Sequence, residues 1–333
     1  MTVSMILLLG CSSAWGRQVK SVARRECKAN GRVASPGDRF LTAGSPLCPG
    51  DRINPVNGHT TVMALCYLNG KILDFKQSKI FDAPDECVLP KEKVELCTGL
   101  NPSRCKNTRG SGEEQNVPTL ISPYGSSMLS TRPPISWSAV SKATSYTVVV
   151  SGYEFYWETT VDKTITTLSY PEEEKELQFG NTYKFTVLAN VGDTPTSSSE
   201  PLVVSVLTQE EQNAIAQRVK QINKLGLHPD EAAISDLDAI YMSRNLLNET
   251  IETLKALVSK RSQNPAVYRL LAERYLEAWL PNEALREYAK AAQLAKSTGN
   301  SNELNRVQEG LKIIECYHKH KLPEKKTTSC PNL

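Results

Sequence analysis

The sequence has no run of apolar residues approaching the ~20 that a membrane-spanning helix requires, which excludes a helical membrane-embedded body. It has no G-x-S-x-G, no glycine-rich phosphate loop and no H-E-x-x-H, so the common nucleophile, nucleotide and metalloprotease signatures are missing. It has no C-x-x-C pair, which argues against a structural zinc site. Neither charge is in large excess: 39 Lys and Arg face 36 Asp and Glu, so nothing draws the whole chain toward nucleic acid. Histidines number four. His59 falls in a turn signal and His228 precedes Pro229, and both read as solvated. "CYHKH" (316–320), with Cys330, offers Cys316, His318 and His320 to a metal, but histidines two apart do not share a helix face. The expectation is no enzyme, no cofactor and no metal.

Cysteine is absent between 106 and 315 and crowded before it. Cys11, Cys27, Cys48, Cys66, Cys87, Cys97 and Cys105 precede residue 106; Cys316 and Cys330 follow. Clustering without a metal motif fits disulfides made in an oxidising compartment. The expected pairs are Cys66–Cys87, then Cys97–Cys105, with Cys316–Cys330 pinning the tail. Residues 1–16 read as a signal or lipoprotein segment: Val3–Leu9 is apolar and small residues follow. "LLGC" (8–11) resembles a bacterial lipobox, which makes Cys11 the lipidation candidate; "SSA" or "AWG" would serve as a conventional cleavage site instead. No Lys or Arg precedes the apolar stretch, while Arg17, Lys20, Arg24, Arg25, Lys28 and Arg32 follow it, opposed by Glu26. That order disfavours translocation, so either the true start lies upstream or the signal is degenerate. The expected location is exported, periplasmic or envelope-associated, with the cytoplasm as the alternative. The basic stretch 17–32 is a candidate membrane contact beside an anchor, or a solvated segment.

Along the chain the expected fold class is multidomain: two all-β modules, a small one and then a β-sandwich, followed by an all-α helix-hairpin array. Residues 33–97 read as short strands, with Asn69-Gly70 between "TTVMALCYL" and "KILDF" as a hairpin signal. The pattern "PGDRI…NGHTTVMALCYLNGKILDF" resembles the FecR-type modules of bacterial envelope proteins. Residues 98–119 are poor in large apolar residues and read as a linker. Residues 120–207 alternate: Tyr146, Val148 and Val150 share a face, as do Tyr183, Phe185 and Val187. "LQFGNTYKFTV" (177–187) resembles the fibronectin type III signature, with Trp137 and Tyr146 where that family keeps core aromatics. The resemblance implies a sandwich that spaces or binds.

From Thr208 to residue 320 the composition turns helical, with a tail at 321–333. "TQEE" (208–211) is a capping box, and the first helix is predicted to end near Leu225 before Gly226 and Pro229. Tyr268, Leu271, Ala272, Tyr275, Ala284, Tyr288 and Ala291 resemble the tetratricopeptide repeat pattern. Shifted back by 34, they fall on Ile234, Leu237, Asp238, Tyr241, Thr250, Leu254 and Leu257. Asp238 and Thr250 depart from the small apolar residues usual there. Asn264 with Pro265, and Pro281, mark helix starts. The last helix, 302–316, reads as an end cap or degenerate third repeat.

In that repeat family the first helix of each pair lines a concave groove. The resemblance places Ser235, Ala239, Met242, Arg269, Glu273 and Leu276 there, with Arg269 and Glu273 spaced to pair. The Lys/Asn set that clamps a peptide carboxylate in some members is missing. The expected function is a non-enzymatic scaffold of the bacterial cell envelope that binds a protein or peptide partner through this groove. Two alternatives stand beside it. One is a carbohydrate- or surface-binding module using "YEFYW" (153–157), which as a packed strand edge would lose that role. The other is an envelope-sensing regulatory protein.

Overall fold

The computed structural model describes residues 27–37, 41–55, 61–81, 87 and 116–320, with side chains as far as 315. In the N-terminal module, β1 (Gly31–Ser35), β2 (Pro46–Leu47), β4 (Val62–Cys66) and β5 (Ile72–Phe75) form an antiparallel sheet in the order β2-β1-β4-β5. β3 (Arg52–Ile53) and β6 (Lys79–Ile80) pair beside it. Gly70, at φ 61°, serves the β4–β5 turn that Asn69-Gly70 predicts. Two disulfides, Cys66–Cys87 and Cys27–Cys48, staple this small core, each across 21 residues. Each restricts the unfolded chain by about 3 kcal/mol.

The sandwich follows. β10 (Ser145–Gly152), β11 (Phe155–Asp162), β13 (Thr182–Val191), β15 (Leu202–Val206) and β8 (Ser127–Met128) form one sheet in the order β11-β10-β13-β15-β8. β14 (Thr194–Ser198) joins β13 beyond the end of β15. The facing sheet is β12 (Thr167–Leu168), β9 (Ile135–Trp137) and β7 (Leu120–Ser122). Alternation decides what is inside: Tyr146, Val148 and Val150 meet Tyr183, Phe185 and Val187 in the core. Trp137 and Tyr146 stack edge-on at 5.5 Å. Buried hydroxyls are used: Tyr146 accepts from the Val140 amide and Tyr183 from the Gln178 amide.

The helices begin with α1 (Gln209–Asn223), opened by the Thr208/Glu211 capping box. Next, α2 (Pro229–Glu231), a π-helix (Ala232–Leu237) and α3 (Asp238–Met242) run on end to end. α4 (Leu247–Ser259), α5 (Pro265–Glu277), α6 (Pro281–Ser297) and α7 (Ser301–His320) complete the set. α5 starts where Asn264 caps the Ala266 amide and Pro265 needs no donor. Asn245 and Trp279, 34 positions apart, both take positive φ, at 57° and 62°. Each precedes a leucine, Leu246 or Leu280, that opens the second helix of its hairpin. α7 runs from 301 to 320 rather than 302–316.

The modules pack directly on one another. Arg32 on β1 is buried against the π-helix: Nε donates to both carboxylate oxygens of Asp236 at 2.8 and 3.1 Å. Its other nitrogens donate to the Gly44 carbonyl at 2.7 Å and to Glu231 at 2.6 Å. The Tyr67 hydroxyl adds a bond to Asp236 at 3.2 Å. Burial works against the guanidinium, but Tyr67, Asp236 and Glu231 outweigh it and hold its pKa above the usual arginine value. Arg32 therefore leaves the basic stretch expected to face lipid or solvent; 17–26 lies outside the described residues. Around this pair, Leu65 packs with Ile215, Ile222, Ile240 and Leu246.

The sandwich docks on the start of α4. The Leu129 amide donates to Glu249 at 2.7 Å, and the Tyr124 ring lies 6.1 Å from that of Tyr275. The second Glu249 oxygen is buried without a partner, and burial pushes this carboxyl above the usual glutamate range. Between the ordinary value and the raised one, the native state holds a proton the unfolded chain has released. Stability therefore falls as pH rises through that window. Urea midpoints measured across it should show this slope, and Glu249→Gln should flatten it.

A second expectation tests helix register. Ala284 is fully buried where α6 crosses α5, while Ala289 on the same helix faces out. Ala284→Leu should cost about 1–3 kcal/mol by overpacking; Ala289→Leu should stay within about 0.5 kcal/mol. Thermal unfolding of the two variants decides between them. Ala292, which helical spacing turns outward, is half-buried against the core and is not the right control.

Candidate interaction surfaces

The expected groove on the helical array is closed. Arg269 is 4% exposed and donates to Glu303 of α7 at 2.6 Å and to Glu273 one turn away. Arg274 donates to Asp238 of α3 at 2.6 and 2.8 Å and to Glu277 at 2.9 Å. Arg306 reaches Glu303 at 3.2 Å. These pairs tie α3 to α5 and α5 to α7 across the face the repeat would leave open. Ala239 and Leu276 are buried, and Ser235 and Met242 are half-buried, Met242 against the helical core. The six residues therefore do not line an accessible groove. The periodicity placed them on the right helices; it carried no information on α7 closing over them. Asp238, anomalous in the repeat pattern, is explained by its bond to Arg274.

Beside the π-helix lies an apolar cleft of about 390 Å³. Ile222 of α1, Leu227, Ala233, Leu237, and Ala256 and Leu257 of α4 form its walls. No charged side chain lines it, so it suits a small apolar group and offers no acid–base chemistry.

The sandwich presents the other surface. Of nine large apolar side chains exposed among the described residues, six belong to it: Tyr153, Tyr156, Ile165, Phe179, Val191 and Val203. "YEFYW" divides by strand alternation. Tyr153 and Tyr156 are 80% and 64% exposed. Trp157 is 4% exposed, donating to the Tyr170 hydroxyl at 3.1 Å, and the Phe155 ring stacks on Tyr183 at 5.0 Å. The register sets Tyr156 opposite Ser151, Ser151 opposite Lys184 and Lys184 opposite Val203, one row across the outer face. The Tyr156 hydroxyl donates to Glu158, which raises its pKa. The aromatic run was legible in the sequence; Tyr156 faces out by the parity of β11, and Tyr153 by its place in the β10–β11 turn.

Other candidate residues fall elsewhere. Cys66–Cys87 is bonded, and so is Cys27–Cys48, a pair not anticipated although both bonds span the same interval. Cys11, Cys97, Cys105, Cys330 and His59 lie outside the described residues, as do the side chains of Cys316, His318 and His320. His228 accepts from the Asp230 amide at 3.3 Å as a helix cap. Among the described residues no His, Cys, Asp and Glu gather as a metal site, and no helix is long and apolar enough to cross a membrane.

No protein-family model matches the chain, and no curated protein matches it. Among solved structures, the FN5 domain of Drosophila Lar is similar, with 16% identity over 28% of this chain and 96% of that one, TM-score 0.21. A structure described as a myokine shares 13% identity over 28% and 97%, TM-score 0.21. Astrotactin-2, described as a vertebrate-specific perforin-like membrane protein, shares 15% over 56% of this chain and 34% of that one, TM-score 0.18. The fibronectin-type likeness thus reaches a minor part of the chain. Similarity this low carries no functional argument, and the sandwich stands on its own sheet topology.

The closed groove has a direct consequence. Were Arg269 an exposed groove residue, its removal would cost almost nothing. Buried between two carboxylates, it should matter: Arg269→Ala should lower stability by about 2 kcal/mol in denaturant unfolding. This is less than the ~3–5 kcal/mol of a fully buried pair, because Glu273 and Glu303 keep 17% and 14% exposure.

Proposed function

We propose that this chain is a non-enzymatic interaction protein of an oxidising compartment, of bacterial-envelope type, that binds a protein or peptide partner through the outer face of its sandwich. The carrying observation is the exposure of Tyr156 and Val203 on that face and of Tyr153 at the turn beside it. Exposed tyrosines are the kind of side chain in which interface centres are enriched. Two disulfides fit export. The 34-residue offsets support reading the helices as a tetratricopeptide-type array. With its concave face held by ion pairs, that array acts as a buttress. The FecR-type reading of the first module accords with the same setting.

The second reading, carbohydrate binding, is favoured by the same two flat rings. Tyr153→Ser with Tyr156→Ser separates the readings from the helical one. Captured protein from an envelope extract should be lost with the double variant and kept with Leu285→Ser, an exposed change on α6. Loss with Leu285→Ser alone would return the site to the helices. Oligosaccharide binding that disappears with the tyrosines, with no protein captured by the wild type, would establish the second reading.

A further inference from the structure

The path β11-β10-β13-β15-β8 through the six-stranded sheet has two end strands, and they are treated differently. At the β8 end the strand is two residues long and α4 lies against it: Leu129 bonds Glu249, and a Cβ on Gly125 would meet Leu247 at 2.9 Å. β14, the other strand laid against β13, is interrupted by Pro195, which cannot donate. β12 in the second sheet is two residues long. Short strands, proline and covering helices are the usual protections of an edge. β11 has none of them. It runs eight residues, Phe155–Asp162, in unbroken register with β10, with no proline, lysine or bulge. No described strand pairs with its outer side. Every second residue of such a strand turns its N–H and C=O outward, ready for another strand.

We propose that the β11 edge pairs antiparallel with β11 of a second copy of this chain, about a two-fold axis at Thr159, joining the two sheets into one. The choice of a second copy rests on the strand's self-complementarity. Tyr156, Glu158, Thr160 and Asp162 face outward, and Trp157, Thr159 and Val161 face inward. Opposed residues must share a face, which limits the registers. An axis at Glu158 sets that carboxylate against its own copy, and one at Thr160 sets Glu158 against Asp162. Both oppose like charges. An axis at Thr159 retains nearly the full strand and opposes none: Glu158 meets Thr160, Tyr156 meets Asp162, and Trp157 meets Val161. A hydroxyl-bearing side chain, not a second carboxylate, then faces each carboxylate. The pairing leaves both copies of Tyr156 on one continuous outer face. It is independent of the partner reading, because its readout is mass.

The test is sedimentation equilibrium of the full chain across a concentration series. The wild type should be a reversible dimer. Thr160→Glu places a carboxylate against Glu158 twice per dimer and should raise the dimer dissociation constant roughly 2- to 30-fold. Thr160→Lys places an ammonium there and should hold or tighten the dimer. Both lose the same exposed hydroxyl contact to Thr147, so folding effects cancel between them, and circular dichroism confirms the fold. In hydrogen exchange, amide protection in β11 should rise with protein concentration. A monomer throughout, a dimer indifferent to both substitutions, or equal weakening by both would each overturn the proposal. So would binding of an extended peptide at this edge without self-association.

Discussion

Arg32 and Asp236 are the joint on which the arrangement of modules depends. Neither charge is tolerable alone away from water; an unpaired buried charge costs several kcal/mol. Here the guanidinium spends its donors on Asp236, Glu231 and the Gly44 carbonyl, while Asp236 accepts a further bond from Tyr67. The first module can therefore sit in one place on the helices, because displacement would strand both groups. The helix widens to a π-helix at this contact, where Asp236 is carried, as such widenings often do at contacts that matter. The specificity of the joint comes from satisfied polar geometry. The apolar cluster around Leu65 supplies the burial that a polar joint cannot.

The same logic of paired charge explains the helical array. Arg269 and Arg274 each lie between carboxylates from different helices. Such pairs define one helix-to-helix register, and they also close the face that the sequence reading assigns to a groove. Asp238 is where this becomes visible from sequence in retrospect: a charged residue at a position that asks for a small apolar one requires a partner, and Arg274 is that partner. Thr250 has no such account: its hydroxyl is buried and makes no hydrogen bond.

Local chemistry was readable and long-range pairing was not. The capping box at Thr208, the Asn264–Pro265 start of α5, the turn at Gly70 and the alternating faces of β10 and β13 depend on residues a few positions apart. Arg32 reads as one more cation in a basic stretch until Asp236, 204 positions away, is brought beside it. Glu249 reads as a helix-surface glutamate until the Leu129 amide reaches it across the sandwich boundary. The Cys27–Cys48 bond lay in neither class: spacing permits it, but so it does several rivals.

Internal packing also decides where a partner can be met. The first module uses the strands around Arg32 and Leu65 against the helices. The sandwich uses Tyr124 and Leu129 against α4 and α5, and the array closes its own concave side with ions. Among the described residues, the outer face of the six-stranded sheet and the β11 edge that bounds it take no part in these contacts. These lie at the end of the sheet opposite the helices, since β8, not β11, is the strand laid against α4. Rigidity there has a use. Aromatic side chains on a hairpin tip lose little entropy on binding when the strands beneath them are already fixed. Buried Trp157 and Tyr183, with the half-buried Phe155 ring against Tyr183, fix β11 from inside and set Tyr156 outward. The buried polar joints hold the modules in place, and the sandwich keeps its exposed tyrosines on strands already fixed from inside.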